Sequence, residues 1–324
     1  MDTLEFTEDK VDKMERSVYN MLTLEIGVLD ERVNWLKDRL NLKDNEIKKI
    51  TQQQPSILGF KPSSLKPKLN YLTNRLHLDD KSLRKLILCT PGILTLSIED
   101  NIKPRLDYLQ KKLLLDDKAL QRLVLRVNIF TVSIEENIEP KLNWFQERLM
   151  LDEKELAKII TKFPVIVHYS LEENIEPKLN WIQQRLSLTD EELSKLIQRM
   201  PQIFNCNIDT NLEPKLNWLQ QRLYLTDEEL SKLIQQMPSL LGCNIDANIE
   251  PTLNFYIDAL GDESEALAFV THNPISFGYS LEKRLKPRLQ EAKDAGMIID
   301  STCLNSMAMY TEDRWSKKML KETK

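Results

Sequence analysis

Lysine and arginine recur at two fixed positions of a repeated segment. Residues 177–200 read PKLNWIQQRLSLTDEELSKLIQRM and residues 214–237 read PKLNWLQQRLYLTDEELSKLIQQM. Counted from the first residue of each copy, positions 2 and 9 are basic, and their separation of seven places both side chains on one helical face. Copies stacked at a helix diameter of about 10 Å would repeat these charges as a ladder. Such a ladder fits the phosphates of a polynucleotide strand.

Looser copies begin at Glu31, Pro67, Pro104, Pro140, Pro251 and Pro287. The basic residues at positions 2 and 9, which we predict to bind nucleic acid, are Arg32, Arg39, Lys68, Arg75, Arg105, Lys112, Lys141, Arg148, Lys178, Arg185, Lys215, Arg222 and Arg288. The net charge of −5 argues mildly against such a partner, although the acids concentrate elsewhere in the repeat. The alternative is that the cations cover neighbouring leucines with their methylene groups and form ion pairs with the next repeat.

Position 5 is aromatic in seven copies: Trp35, Tyr71, Tyr108, Trp144, Trp181, Trp218 and Phe255. These rings could stack on bases. We favour the interpretation that they pack between repeats and support the basic residues by cation–π contact.

Catalytic and metal-binding patterns have little support. His77, His168 and His272 share no repeat position and lack the ligand spacing of a zinc site. The sequence carries no nucleophile motif and no glycine-rich phosphate loop. We therefore predict a protein that is not an enzyme and uses no cofactor or metal.

The elements that position the basic residues are helices. A step of 36 or 37 residues between copies indicates a solenoid. Helix A of each repeat begins at the proline and carries apolar residues at positions 3, 6 and 10. Helix B follows. It begins with a capping box, such as Thr189 with Glu192, and ends before a proline, such as Pro201. The predicted fold is all-α, an α-solenoid superhelix of about eight repeats, each with two helices and a short 3₁₀ turn.

We predict one continuous domain in three parts: an N-terminal cap in residues 1–30, a repeat array in 31–300, and a C-terminal capping helix and tail in 301–324. The longest apolar runs fall far short of the roughly 18 residues that a membrane span needs. The first residues, MDTLEFTEDKVDKMERS, show no targeting composition, so the compartment is not readable from them. We expect a monomer.

The repeat layout resembles that of the mitochondrial transcription termination factor (mTERF) family. The resemblance rests on the proline-basic-Leu opening of helix A, the capped acidic start of helix B, the Phe/Met-Pro-x-Ile/Leu that closes it and the Ser-hydrophobic-Glu turn that follows. It is supported by the last unit, where Leu285–Leu289 lead to Tyr310-Thr311-Glu312-Asp313-Arg314-Trp315. It covers roughly residues 30–315. It implies a partial ring whose basic concave side holds double-stranded DNA or sometimes RNA in mitochondria or plastids, in contact with transcription or ribosome machinery.

These observations together predict a protein that binds double-stranded DNA through the helix A ladder and regulates or terminates organellar transcription. One alternative is a factor for organellar RNA or ribosome processing. The other is a protein-binding solenoid scaffold without a nucleic-acid function.

Overall fold

The computed structural model describes residues 26–322, which divide into two compact units at His168 and Tyr169. The first unit holds four repeats, and the second holds four repeats and a closing helix. The boundary falls between two repeats, so each repeat lies within one unit. The sequence pattern continues across this point and does not predict the division.

Two consecutive helices, A and B, make up each repeat. In the first unit they are α1 (Ile26–Leu40), α2 (Asp44–Gln53), α3 (Pro62–Arg75), α4 (Asp80–Cys89), α5 (Lys103–Lys112), α6 (Asp117–Val124), α7 (Glu139–Arg148) and α8 (Glu153–Lys162). In the second they are α9 (Glu176–Arg185), α10 (Asp190–Arg199), α11 (Glu213–Arg222), α12 (Asp227–Gln236), α13 (Glu250–Leu260), α14 (Glu263–His272), α15 (Lys286–Asp294) and α16 (Ser301–Met309), followed by α17 (Glu312–Glu322). The described residues contain no strand, and the predicted all-α repeat fold is confirmed.

Short helices connect the pairs. A 3₁₀ helix follows helix B at Pro55–Gly59, Pro91–Thr95, Pro164–His168, Pro201–Asn205, Pro238–Gly242 and Pro274–Gly278. A π-helical turn precedes helix A at Ile98–Ile102, Ile134–Ile138, Leu171–Ile175, Ile208–Leu212, Ile245–Ile249 and Leu281–Leu285. The π turn was predicted only as a capped turn, and it runs directly into helix A, which begins one residue before the proline.

The predicted caps fix where helix B starts. Thr189 accepts a hydrogen bond from the Glu192 amide while the Glu192 carboxylate accepts one from the Thr189 amide, and Thr226 forms the same box with Glu229. Each box satisfies two amides that would otherwise lack partners at the first turn. The predicted capping boxes are confirmed.

The hydrophobic core lies between the two helices of each repeat and, within each unit, between neighbouring repeats. In helix A of the sixth repeat, Leu216, Leu219 and Leu223 are buried, as positions 3, 6 and 10 predict. Leu193 and Ile197 of α10 are likewise fully buried. Each buried leucine contributes about 1.5–3 kcal/mol relative to an exposed one.

The third repeat departs from the others because Asn128 stands where a proline closes helix B elsewhere. Helix α6 is only eight residues long and ends at Val124, and no 3₁₀ helix follows it. The proline therefore does more than stop helix B, since its fixed φ also starts the 3₁₀ helix.

The turn between helices A and B places one residue in the left-handed conformation. The non-glycine residues there are Asn41, His77, Leu114, Met150, Ser187 and Tyr224, with φ of 48–53°. Gly261 and Gly296 occupy the turn in the last two repeats, at φ 71°. A side chain at this position costs conformational energy that glycine avoids.

Helices α16 and α17 lie in the segment 301–324, for which a C-terminal capping helix and tail stays a prediction. Trp315 of α17 is buried, and its indole N–H donates to Glu291 at 2.6 Å. The predicted N-terminal cap lies mostly outside the described residues. None of the described helices combines the length and the apolar character that a membrane span requires.

Candidate nucleic-acid interface

Position 2 of helix A points into its own repeat. The Lys178 Nζ donates to the Phe204 carbonyl at 2.7 Å, and this carbonyl belongs to the fourth residue of the 3₁₀ helix Pro201–Asn205. The end of a helix leaves carbonyls unpaired and carries partial negative charge. A cation at position 2 therefore holds the start of helix A against the end of the 3₁₀ helix.

In the other six repeats with a basic residue at position 2, that residue also donates to a backbone carbonyl after or at the end of helix B. The donors and acceptors are Arg32 to Leu58, Lys68 to Leu94, Arg105 to Ile129 and Val132, Lys141 to Val167, Lys215 to Leu241, and Arg288 to Met307 and Tyr310. Arg288 also pairs with Glu312 at 2.6 Å. Lys68 and Arg105 are partly exposed, whereas the other five are buried. The expectation that position 2 forms part of an exposed ladder is therefore wrong for these five, because their charged ends lie inside the repeat.

Burial has an electrostatic consequence at position 2. Desolvation lowers the pKa of Lys68, Lys178 and Lys215 below the ordinary lysine value. In the seventh repeat, where Thr252 replaces the cation, the Tyr256 hydroxyl donates at 3.3 Å to the carbonyl of Ser276, which lies in the corresponding 3₁₀ helix Pro274–Gly278. A donor is thus supplied even where the basic residue is absent.

Position 9 bonds to the following repeat. Arg185 lies within 3.0 Å of the amide oxygens of Asn217 and Gln220 and within 3.6 Å of Glu213 and Asp227. The corresponding pairs are Arg39 with Asp80, Arg75 with Asp107, Gln110 and Asp117, Lys112 with Asn143, and Arg222 with Glu263. Arg148 is half-buried at the same position of α7. The ion-pair alternative describes this position, and a role of any ladder residue in nucleic-acid binding stays a prediction.

The position 5 aromatics are not exposed stacking platforms. Phe255 is buried and the others are half-buried. Burial raises the pKa of Tyr108 to about 12. Among the described residues, two position 2 cations lie over aromatic rings, Lys68 over Phe60 and Arg288 over Trp315, and neither ring belongs to a position 5 residue. The packing interpretation fits these positions.

Helix B carries a set of exposed cations in three consecutive repeats. In the second to fourth repeats, basic residues stand at the second and sixth residues of the helix, four apart and hence on one face. They are Lys81 and Lys85 of α4, Lys118 and Arg122 of α6, and Lys154 and Lys158 of α8, which we call the helix B face. All six are exposed. Within the described chain the five lysines form no ion pair or side-chain hydrogen bond, and Arg122 reaches only the Lys118 carbonyl, at 3.3 Å.

The second unit reverses one sign at the same position. Glu191 and Glu228 replace the first lysine of each pair, and each binds the lysine that follows, Lys195 and Lys232, at 2.6 Å. The charges on this face therefore neutralise each other within one helix. The described part of the first unit has 25 Lys and Arg against 19 Asp and Glu, and that of the second has 16 against 24. The negative net charge of the chain thus comes mainly from the second unit.

Sequence reasoning on helix A missed the helix B face. The signal was available, because lysine at the second residue of helix B in three consecutive repeats changes to glutamate in the next two. Glutamate four residues before lysine predicts a pair on a helix, whereas lysine there predicts an unpaired cation. No cluster of metal-ligating side chains occurs among the residues described.

Comparison with known proteins gives one family. The mTERF family model matches residues 1–316, nearly the whole chain of 324 residues. No curated protein matches the chain.

Proposed function

The chain belongs to the mTERF family, and on that premise we propose that it is a nucleic-acid-binding protein of the mitochondrion or plastid that contacts its ligand through the helix B face. The observation that carries this proposal is the set of six exposed basic residues on α4, α6 and α8. Cations that are already solvated and unpaired can bind phosphate without first breaking an ion pair. The ladder on helix A lacks this property, since both of its positions are bonded within the protein.

The geometry of the face suits a polynucleotide backbone. Residues four apart on a helix are separated by about 6 Å along its axis. Neighbouring helices pack about 8–10 Å apart, so three successive B helices span roughly 20 Å. A nucleic-acid duplex advances about 3.4 Å per base pair. The face therefore corresponds to about six base pairs, with contacts to the phosphates rather than to base edges.

We propose double-stranded DNA as the first ligand and regulation or termination of organellar transcription as the role. Contacts made mainly to phosphate position a protein without specifying sequence, so selectivity must come from few other side chains. The protein acts as a monomer without catalysis or a cofactor in this proposal. Organellar RNA, as a ligand in RNA or ribosome processing, and a protein-binding scaffold are the alternatives that the experiment separates.

A triple charge reversal tests the proposal with substitutions that the fold already accepts. K81E/K118E/K154E gives the first unit the Glu-to-Lys spacing of Glu191 and Lys195. Three cations disappear, and the three that follow them become paired with glutamate. We expect affinity for a 20-base-pair DNA duplex to fall by more than about tenfold at 100 mM salt, as measured by fluorescence anisotropy.

The control variant makes the same change in net charge away from the helix B face. K61E/K66E/K111E reverses three exposed lysines of the first unit that lie on or before helix A. Its affinity should fall much less. Equal losses in both variants would contradict a localised site, and a wild-type protein that retains no duplex DNA or RNA at low salt would favour the scaffold. Tighter binding of duplex RNA than of DNA would move the role to RNA processing.

A further inference from the structure

One position of helix B closes the gap between neighbouring repeats. It lies five residues after the N-cap, and its side chain reaches back to the preceding repeat. Gln121 of α6 donates to the His77 carbonyl at 2.9 Å, and Ser231 of α12 donates to the Leu186 carbonyl at 2.6 Å. Both acceptors are in the turn between helices A and B. At the same position of α4, Arg84 pairs with Glu46 at 2.6 Å.

Helix α8 has alanine at this position. Ala157 carries no donor, and a groove of about 320 Å³ opens there between α6 and α8. The turn before α6 forms one wall, where Leu114 is 53% exposed at a φ of 48°. Lys154 and Lys158 line the other wall. The groove is thus bordered by two cations of the helix B face.

A related groove between α1 and α4 has a different character. Its volume is about 290 Å³, and its charged lining residues are Asp38, Arg39, Asp80, Lys81 and Arg84. Arg39 pairs with Asp80 at 3.6 Å, and Arg84 pairs with Glu46. Two of its three cations are therefore paired with carboxylates, whereas Lys81 forms no ion pair within the described chain. The groove at Ala157 has two lysines without such partners within the described chain.

The lining of the Ala157 groove combines three kinds of group. Leu114, Leu115, Ala119 and Ala157 are apolar, and Asp116 is a carboxylate that already accepts from the Ala119 amide at 2.6 Å. The lysines are donors for an anion. A volume of about 300 Å³ is at the lower end of the range for small-ligand sites, so the groove has room for one small molecule or residue.

We infer that this groove receives a single unpaired nucleotide of a bound nucleic acid. Apolar side chains contact the face of the base, Asp116 and the turn carbonyls accept from its exocyclic amine or ring N–H, and Lys154 and Lys158 bind its phosphate. Unpaired bases expose such edges, whereas a base within a duplex does not. This inference rests on the proposed function, because the strand must already lie along the helix B face.

The experiment compares two DNA probes that differ by one nucleotide. One is a blunt 20-base-pair duplex, and the other is the same duplex with a one-nucleotide bulge. We expect wild-type protein to bind the bulged probe about three to ten times more tightly by anisotropy. The A157Q variant introduces into the groove a glutamine, the side chain that occupies the same helix B position in the preceding repeat as Gln121. It should bind both probes equally, with the blunt-duplex affinity of the wild type.

Stability measurements separate the loss of a site from the loss of structure. Since glutamine can donate to the turn carbonyl, A157Q should not lower the free energy of unfolding. If the glutamine side chain prevents folding, A157S, which introduces the side chain that Ser231 has in the sixth repeat, replaces A157Q in the binding assay. The S231A control removes the closing side chain of the second unit and should keep the preference for the bulge. Equal wild-type affinity for the two probes overturns the inference but leaves the proposed function intact. Absence of salt-dependent binding to either probe overturns both.

Discussion

Replacement of Lys178 by methionine distinguishes a structural role of position 2 from a role in phosphate binding. The side chain is 6% exposed and its Nζ lies 2.7 Å from the Phe204 carbonyl. Methionine keeps the volume but leaves this carbonyl without the ammonium donor. An unsatisfied buried acceptor costs about 1–3 kcal/mol, and removal of a buried charge returns part of that. We expect K178M to lower the free energy of unfolding by about 1–2 kcal/mol.

Denaturant unfolding measures this change, and hydrogen exchange locates it. The amides of the 3₁₀ helix Pro201–Asn205 and of α9 should lose protection first. The control is K195M, since Lys195 is an exposed residue of the same repeat paired with Glu191, and substitutions of this kind usually change stability by less than about 0.5 kcal/mol. Affinity for duplex DNA should be unchanged in K178M.

The pH dependence of the same variant gives a second readout. Burial lowers the pKa of Lys178 below its ordinary value of 10.5, so the unfolded chain binds more protons than the folded chain between the two pKa values. The wild-type free energy of unfolding therefore gains a contribution that rises as pH approaches 10.5. The difference between wild type and K178M should grow over this range. A variant with wild-type stability and tenfold weaker DNA binding would refute the reasoning and restore Lys178 to the interface.

Two other substitutions test the contacts between repeats and the turns. R185A should lower the free energy of unfolding by about 1–2 kcal/mol, because the Arg185 side chain is 18% exposed and contacts four residues of the next repeat. R222A removes one ion pair with Glu263 and should lower it by less than about 1 kcal/mol. Equal losses of the two variants in denaturant unfolding would contradict this ranking. Tyr224 is 80% exposed at a φ of 53°, so Y224G should raise the free energy of unfolding by up to about 1 kcal/mol, because glycine adopts the left-handed conformation without strain. Y224A keeps the strain and is the control. A loss of stability in Y224G would show that the tyrosine side chain makes a contact whose energy offsets the backbone strain.

Local signals predicted the repeat correctly because they act within one helix. The Thr189 and Thr226 boxes depend on residues three apart, and the leucine pattern of α11 depends on a period of 3.6. Both are legible in a single copy. The number of copies and the all-α class then follow from the period of the sequence.

Five cations of the helix A ladder, all at position 2, are buried for a physical reason. The partner of Lys178 lies 26 residues later, at the end of a 3₁₀ helix whose carbonyls need a donor. Spacing along helix A places Lys178 on a face but does not say what packs against that face. A basic residue that recurs at one position of a repeat protein can bind a carbonyl inside each repeat as well as a ligand outside it.

The Ala157 groove could not have been predicted from its own segment. Alanine is common within helices, so its occurrence in α8 does not by itself indicate a binding site. Its meaning comes from the comparison with Gln121 and Ser231, whose contacts with the preceding turn are visible only in the folded chain. The change from lysine to glutamate on helix B, by contrast, is present in the aligned repeats.

The salt dependence of duplex DNA binding tests the central claim most directly, namely that the helix B face of the first unit contacts the phosphates. If its six cations each neutralise one phosphate, a plot of log affinity against log salt concentration should have a slope of about −5 for the wild type. K81E/K118E/K154E should make the slope shallower, with a magnitude of about 1 or below, because it removes three phosphate contacts and pairs the other three cations with glutamate. A steep slope that the triple reversal leaves unchanged would place the phosphate contacts elsewhere and contradict the account.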